Sequence, residues 1–209
     1  MIASHFGQPR GPLGRLIGRG MAKLNAPFGQ WVVGEIRGAY PTEPSRIVEL
    51  GSGPGVALQE TLRLFPNAQV WGVDPSATML SQARKRNASA IKAGRLSLVG
   101  GDSGSLELLA PLDIVFAVHV LYFWKEPIKE LQQLRGVMVP GGLVALGYQL
   151  RGNMPQMAQT HFPRLGHTVY ETEGDVEVLF REAGFGSVTH RLKGSSERPE
   201  GRLTFAVTE

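Results

Sequence analysis

Cysteine is absent from the 209 residues. That omission excludes disulfides, thiolate zinc sites, iron–sulfur clusters and every mechanism built on a Cys nucleophile. No run of about 18 apolar residues occurs, and the opening stretch MIASHFGQPRGPLGRLIGRG lacks the unbroken apolar core of an export signal. The expectation is a soluble, unexported, cytoplasmic protein with no membrane span. A strong excess of one charge is missing too: 22 Lys and Arg face 18 Asp and Glu, for a formal net charge of +4. The basic residues crowd only mildly in the first forty positions, so nucleic acid is permitted but not indicated as a partner. No internal repeat or low-complexity tract interrupts the chain.

What is present suits one domain, 1–209, with 42% hydrophobic residues to build a core. Residues 1–10 read as a loose leader. In PLGRLIGRGMAKL, Leu13, Leu16, Ile17, Met21 and Leu24 fall near helical spacing with Arg15, Arg19 and Lys23 off the stripe. NAP at 25–27 reads as a break, and Phe28, Trp31, Val32, Glu35 and Ile36 predict a second helix. Residues 1–44 thus form a helical cap packed on the main sheet; a lid or a membrane-surface helix is the alternative.

From Arg46 onward short apolar runs alternate with helical patterns: RIVEL then a helix over 54–64, QVWGV then 76–93, LSLVG then a short element near 104–109. LDIVFAV and a helix over 126–137 follow, then LVALGY. Such alternation predicts a parallel sheet with helices on both faces, and strands apolar on both sides fit it. Ser76 is placed to cap its helix, Pro127 suits a first turn, and PGG at 140–142 is read as ending a helix before a strand. Past a helix around Val176, Leu179, Phe180 and Ala183, stopped by Gly184, two β-rich runs flank the polar SSERPEG and predict an antiparallel hairpin. The expected fold is therefore α/β, Rossmann-like, with an antiparallel finish.

Gly51, Gly53 and Gly55, in VELGSGPGVALQE, lie between a strand and a helix, where backbone N–H groups and the positive helix end converge on a ligand. The dinucleotide fingerprint G-x-G-x-x-G is not met, since its third position is Val56. An NAD(P)-dependent oxidoreductase is accordingly the disfavoured alternative, and a plain tight turn is the bland one. Asp74 closes the second strand, where a carboxylate can accept both hydroxyls of a ribose, with Pro75 and Met79 as apolar cover for a base. Asp102 in VGGDSGSL follows the third strand, where its carboxylate and the Ser103 N–H can read the edge of the base; alone it would be a turn residue.

VELGSGPG, GVDPSATML, GGDSGSL, DIVFAVHVLYFW and LRGVMVPGGLVAL, in this order, resemble the class I S-adenosylmethionine-dependent methyltransferase family over about residues 46 to 209. The resemblance implies a seven-stranded sheet, six strands parallel and the C-terminal one antiparallel. It implies S-adenosylmethionine as cofactor, held in a core spanning 46–148, with S-adenosylhomocysteine as product. Glu49, Gly51, Ser52, Gly53 and Gly55 would then lie against the methionine and ribose parts, Asp74 would hold the ribose, and Asp102 with Ser103 the adenine. Ala117, Val118 and His119 would face the methionine moiety and the acceptor. A non-catalytic, cofactor-binding relative is a further alternative.

Methyl transfer from a sulfonium is an in-line displacement that requires alignment and dryness more than a dedicated catalytic group. His119 is the first candidate base, or an orienting or merely structural residue; Tyr122 and then Tyr148 are weaker candidates. AVHVLYFW replaces the [DNS]-P-P-[YFW] of base-methylating enzymes, Cys is lacking, and no metal-binding cluster stands out, which leaves a small-molecule acceptor taking the methyl on O, N or C. The connection 149–172 is long enough for a substrate loop, with Met154, Met157, Phe162 and Tyr170 for an apolar acceptor part and Arg151 and Arg164 for an acid group. A C-terminal helix and hairpin occupy 173–209.

Overall fold

The computed structural model describes residues 11–209, with the side chains of 11–19 and 21–23 left out. The expected leader 1–10 lies outside the described residues. Seven strands form one sheet: β1 (Arg46–Leu50), β2 (Gln69–Asp74), β3 (Leu96–Gly100), β4 (Leu112–Val118), β5 (Met138–Tyr148), β6 (Val188–Gly194) and β7 (Pro199–Val207). Their order is β3-β2-β1-β4-β5-β7-β6, and β7 alone runs against its neighbours β5 and β6. Six strands are therefore parallel and one antiparallel, as expected.

Alternation along each strand divides the interior in two. Ile47, Ile114, Leu143 and Leu203 point to the face covered by α1 (Gly11–Ala39) and α2 (Val56–Leu64). Val48, Val115 and Val144 point to the face covered by α5 (Pro127–Gly136) and α7 (Glu173–Glu182). Each such side chain, fully buried, contributes about 1.5–3 kcal/mol from apolar area removed from water. Because both faces are covered, the strands can be apolar throughout, which is why the sequence shows continuous runs and not alternation.

Local chemistry sets several boundaries. The Ser76 hydroxyl accepts from the Met79 N–H (3.4 Å) at the start of α3 (Ala77–Arg86), and Pro127 opens α5. Thr172 and Asp175 close a capping box on α7, joining side chains to backbone N–H groups in both directions.

Three expectations need correction. The two N-terminal helices are one, α1, running through Pro27. A proline inside a helix removes one N–H bond; here the apolar face Phe28, Val32, Val33 and Ile36 packs on the sheet and holds the helix together around it. Of the upstream stripe, Leu24 is 81% exposed, and Leu13, Leu16, Ile17 and Met21 have side chains outside the described residues. The helix expected over 76–93 is split at Asn87 into α3 and α4 (Ala88–Lys92), since the Asn87 amide turns back to donate to Ala83 O (3.1 Å) and Gly55 O (3.0 Å). PGG does not end a helix: α5 stops at Gly136 and residues 140–142 lie within β5, where pairing with β4 shifts between Leu112 and Ile114. The connection 149–172 carries a 3₁₀ turn (Arg151–Asn153) and α6 (Gln156–Arg164). Among the described residues no helix is long and apolar enough to cross a membrane.

Candidate active site

The chain starts its sheet in the middle, winds outward to β3, then returns to place β4 on the other side of β1. At such a switch point the connections leave in opposite directions, and a crevice opens at the carboxyl ends of the strands. A cavity of about 190 Å³ lies there, bounded by the glycine loop, the ends of β2 and β4, and α1.

The loop is its floor. The Gly51 and Ser52 N–H groups donate to Val73 O at 2.7 and 3.0 Å, tying the loop to β2. Its three glycines have positive φ of 69°, 52° and 75°, a region costly for other residues. Their surroundings differ. A Cβ on Gly51 would lie 2.3 Å from Val120 Cγ2, and one on Gly55 would lie 2.6 Å from Asn87 Nδ2 and 2.9 Å from Ala83 Cβ. A Cβ on Gly53 would meet nothing nearer than Gly51 O at 4.0 Å. Gly51 and Gly55 are thus required by packing within the protein, whereas Gly53 faces open cavity.

Two carboxylates stand over this floor. Asp74 accepts from the Gly53 N–H with Oδ2 and from the Ser76 N–H with Oδ1, both at 2.8 Å; burial nevertheless raises its pKa, the two bonds opposing that shift. Glu49 is 3% exposed, and among the described residues its Oε2 has no hydrogen-bond partner; the Ser52 hydroxyl is likewise buried and unpartnered among them. Burial, and then the charge of Asp74, hold the Glu49 carboxyl well above its ordinary range. Pro75, Met79 and Val118 complete this part of the wall.

His119 follows β4 with φ of 57°, uncommon for a residue with a side chain. Its N–H donates to Gly147 O (2.8 Å) and its ring stacks on Phe28, centroids 4.8 Å apart. Desolvation lowers its pKa to about 4, so the imidazole is neutral across the physiological range. Sequence reasoning missed Asn25 and Gly29 from α1, Val120 and Phe123 beyond β4, and Pro54, Val56 and Ala57 at the start of α2. The last three adjoin the loop in sequence and were legible; the others reach the cavity only through the tertiary fold.

Six expected residues do not line the cavity. Gly55 packs on α3, and Ala117 is buried within β4. The Asp102 carboxylate accepts from the Gly104 N–H (3.1 Å), and the Ser103 hydroxyl turns to Glu130 and Gln133 on α5. Tyr122 is buried with its hydroxyl bonded to the Gln149 backbone, and burial raises its pKa further from the working range of a base. Tyr148 is fully buried, its hydroxyl bonded to Thr204 (2.8 Å). In the 149–172 connection, Arg151 pairs with Glu171 (3.0 Å), Met157 is 59% exposed, and Phe162 packs on Phe123, centroids 5.6 Å apart.

A family model described as methyltransferase domain matches residues 48–144, from β1 into β5, and so spans the loop, both carboxylates and His119. That match covers just under half of the chain. A trans-aconitate 2-methyltransferase of Rhodopseudomonas palustris is 33% identical over 121 residues, covering 56% of this chain and 42% of that protein. The chain therefore spans less than half the length of that curated relative. An O-methyltransferase family protein from Burkholderia thailandensis superposes with a TM-score of 0.73 at 19% identity, over 94% of this chain and 60% of that one. The plantazolicin methyltransferase BpumL, solved with S-adenosylhomocysteine, gives 0.73 at 14% identity over 95% and 91%. Those two structures share this chain's fold.

Proposed function

We propose that this domain transfers a methyl group from S-adenosylmethionine to a small-molecule acceptor. The observation that carries the reading is the pair of buried oxygens without partners, Glu49 Oε2 and Ser52 Oγ, beside open space over Gly53. Buried polar atoms are ordinarily satisfied, and an α-amino-acid end brings the ammonium and carboxylate groups that satisfy these. Asp74 keeps lone pairs for two ribose hydroxyls, and Pro75 and Met79 give the base its apolar cover. Asp102 and the Ser103 backbone stand next along, at the end of β3, where the Gly101 N–H donates to Asp74 O (3.3 Å). When bound, S-adenosylmethionine supplies a methyl carbon made electrophilic by its sulfonium.

The protein's part is alignment and exclusion of water. Val118, Val120 and Phe123 wall the cavity beside His119. A neutral imidazole accepts a hydrogen bond from an acceptor O–H or N–H and so holds the nucleophile in line; with a pKa near 4 it is a weak base, and orientation is its main role. Val120 and Phe123 favour an acceptor with an apolar portion.

Titration calorimetry with S-adenosylhomocysteine and with NAD tests the reading. The wild-type chain binds the first and not the second. Gly53→Val removes binding at least about tenfold while the far-UV spectrum is kept, because the added side chain enters space that no protein atom occupies. Normal binding by that variant, or binding of NAD alone, would overturn the assignment.

A further inference from the structure

Helix α1 reaches the site through a side chain that does not itself line the cavity. Phe28 is buried, and its ring lies against the backbone of two strands at glycines. A Cβ on Gly201 of β7 would come within 2.3 Å of Phe28 Cε2 and 2.8 Å of Cζ. One on Gly147 of β5 would come within 3.4 Å of Phe28 Cε1 and 2.8 Å of Val32 Cγ2. Gly147 and Gly201 therefore form a seat that no larger residue would permit. On its other side Phe28 stacks on His119, the planes 30° apart, and Gly147 O accepts the His119 N–H. One ring thus touches both the seat and the imidazole. Its neighbour Gly29 is held against α2, where an added Cβ would meet Ala57 Cβ at 3.3 Å. This part of α1 is closely packed on both sides of the contact.

We propose that Phe28 is a positioning residue: locked in the Gly147–Gly201 seat, it holds the His119 ring in one orientation and keeps water from it, so that His119 presents one defined face to the acceptor. The link to an acceptor rests on the methyl-transfer reading; the link between Phe28 and His119 does not. The titratable groups sharing the cavity with His119 are Glu49 from β1 and Asp74 from β2, and Tyr122 stacks 6.3 Å away in the turn after β4. Desolvation lowers the His119 pKa, and of the two rings stacked on the imidazole Phe28 is the nearer, at 4.8 Å against 6.3 Å for Tyr122.

The experiment is imidazole NMR on the ligand-free protein, with the His119 resonance assigned by its loss in His119→Gln. Wild-type His119 titrates near 4. Phe28→Ala admits water, and Gly201→Ala pushes the ring from its seat. In either variant the midpoint moves up by about one unit or more toward that of a solvated histidine, whereas Gly34→Ala, on the same helix where an added Cβ meets nothing within 4 Å, keeps the wild-type value. If Phe28→Ala does not fold, the milder Gly201→Ala decides. An unchanged His119 midpoint in a folded Gly201→Ala or Phe28→Ala protein would overturn the proposal. S-adenosylhomocysteine binding by the wild type is measured on the same sample: its absence would sink the methyl-transfer reading and leave the His119 result standing.

Discussion

Glu49 and His119 are both forced by burial toward their uncharged forms, and the two have opposite consequences for stability. Glu49 has a folded pKa above its unfolded one, so the folded state binds more protons and stability falls as pH rises past about 4.5 toward the folded value. His119 has a folded pKa below its unfolded one, so stability is full above about 6.5 and is lost as pH falls through that value toward 4. Glu49→Gln removes the first effect without removing bulk. Thermal melts should show the variant matching wild type at pH 4 and exceeding it once the pH rises above about 4.5; a difference that stays constant from pH 4 upward would contradict a carboxyl held protonated by burial. At this scale the loop glycines and Asp74 were legible because backbone conformation and strand ends leave marks in the sequence. The two unpartnered oxygens were not legible, nor was the difference between Gly53, open to the cavity, and Gly55, closed against Asn87 and Ala83. Those properties belong to packing, which spacing does not encode.

Elements read well where one physical pattern dominated. The parallel strands came through as apolar runs, and β6 and β7 as a hairpin around SSERPEG. Misreadings arose where a local breaker was overruled by packing: Pro27 within α1, and Pro140, Gly141 and Gly142 within β5. The reverse happened at Asn87, whose side chain competes with the helix for backbone carbonyls and divides α3 from α4. That division has a use, because the same amide holds Gly55 O and so pins the glycine loop to α3. Asn87→Ala leaves the buried Gly55 carbonyl unpaired, at a cost of about 1–3 kcal/mol in urea unfolding. It should also weaken S-adenosylhomocysteine binding by loosening the cavity floor. A variant with wild-type stability and affinity would show that the loop needs no such pin.

In the molecule as a whole, the candidate cavity lies at the carboxyl ends of β1, β2 and β4, so a ligand bound there would join segments far apart in the chain. A ligand present at about 100 times its Kd stabilises the folded state by about 2.7 kcal/mol. S-adenosylhomocysteine should therefore raise the melting temperature in a concentration-dependent way, and an unmoved melt at millimolar ligand would count against the site. The strand order carries a separate consequence. β7, formed by residues 199–207, lies inside the sheet between β5 and β6. During synthesis β5 emerges with a bare edge, and β6 has no neighbour until β7 arrives. The sheet cannot close until Val207 has left the ribosome, so on this half of the molecule folding must wait on translation. A nascent chain halted before residue 199 should present the β5 edge to chaperones or to other chains.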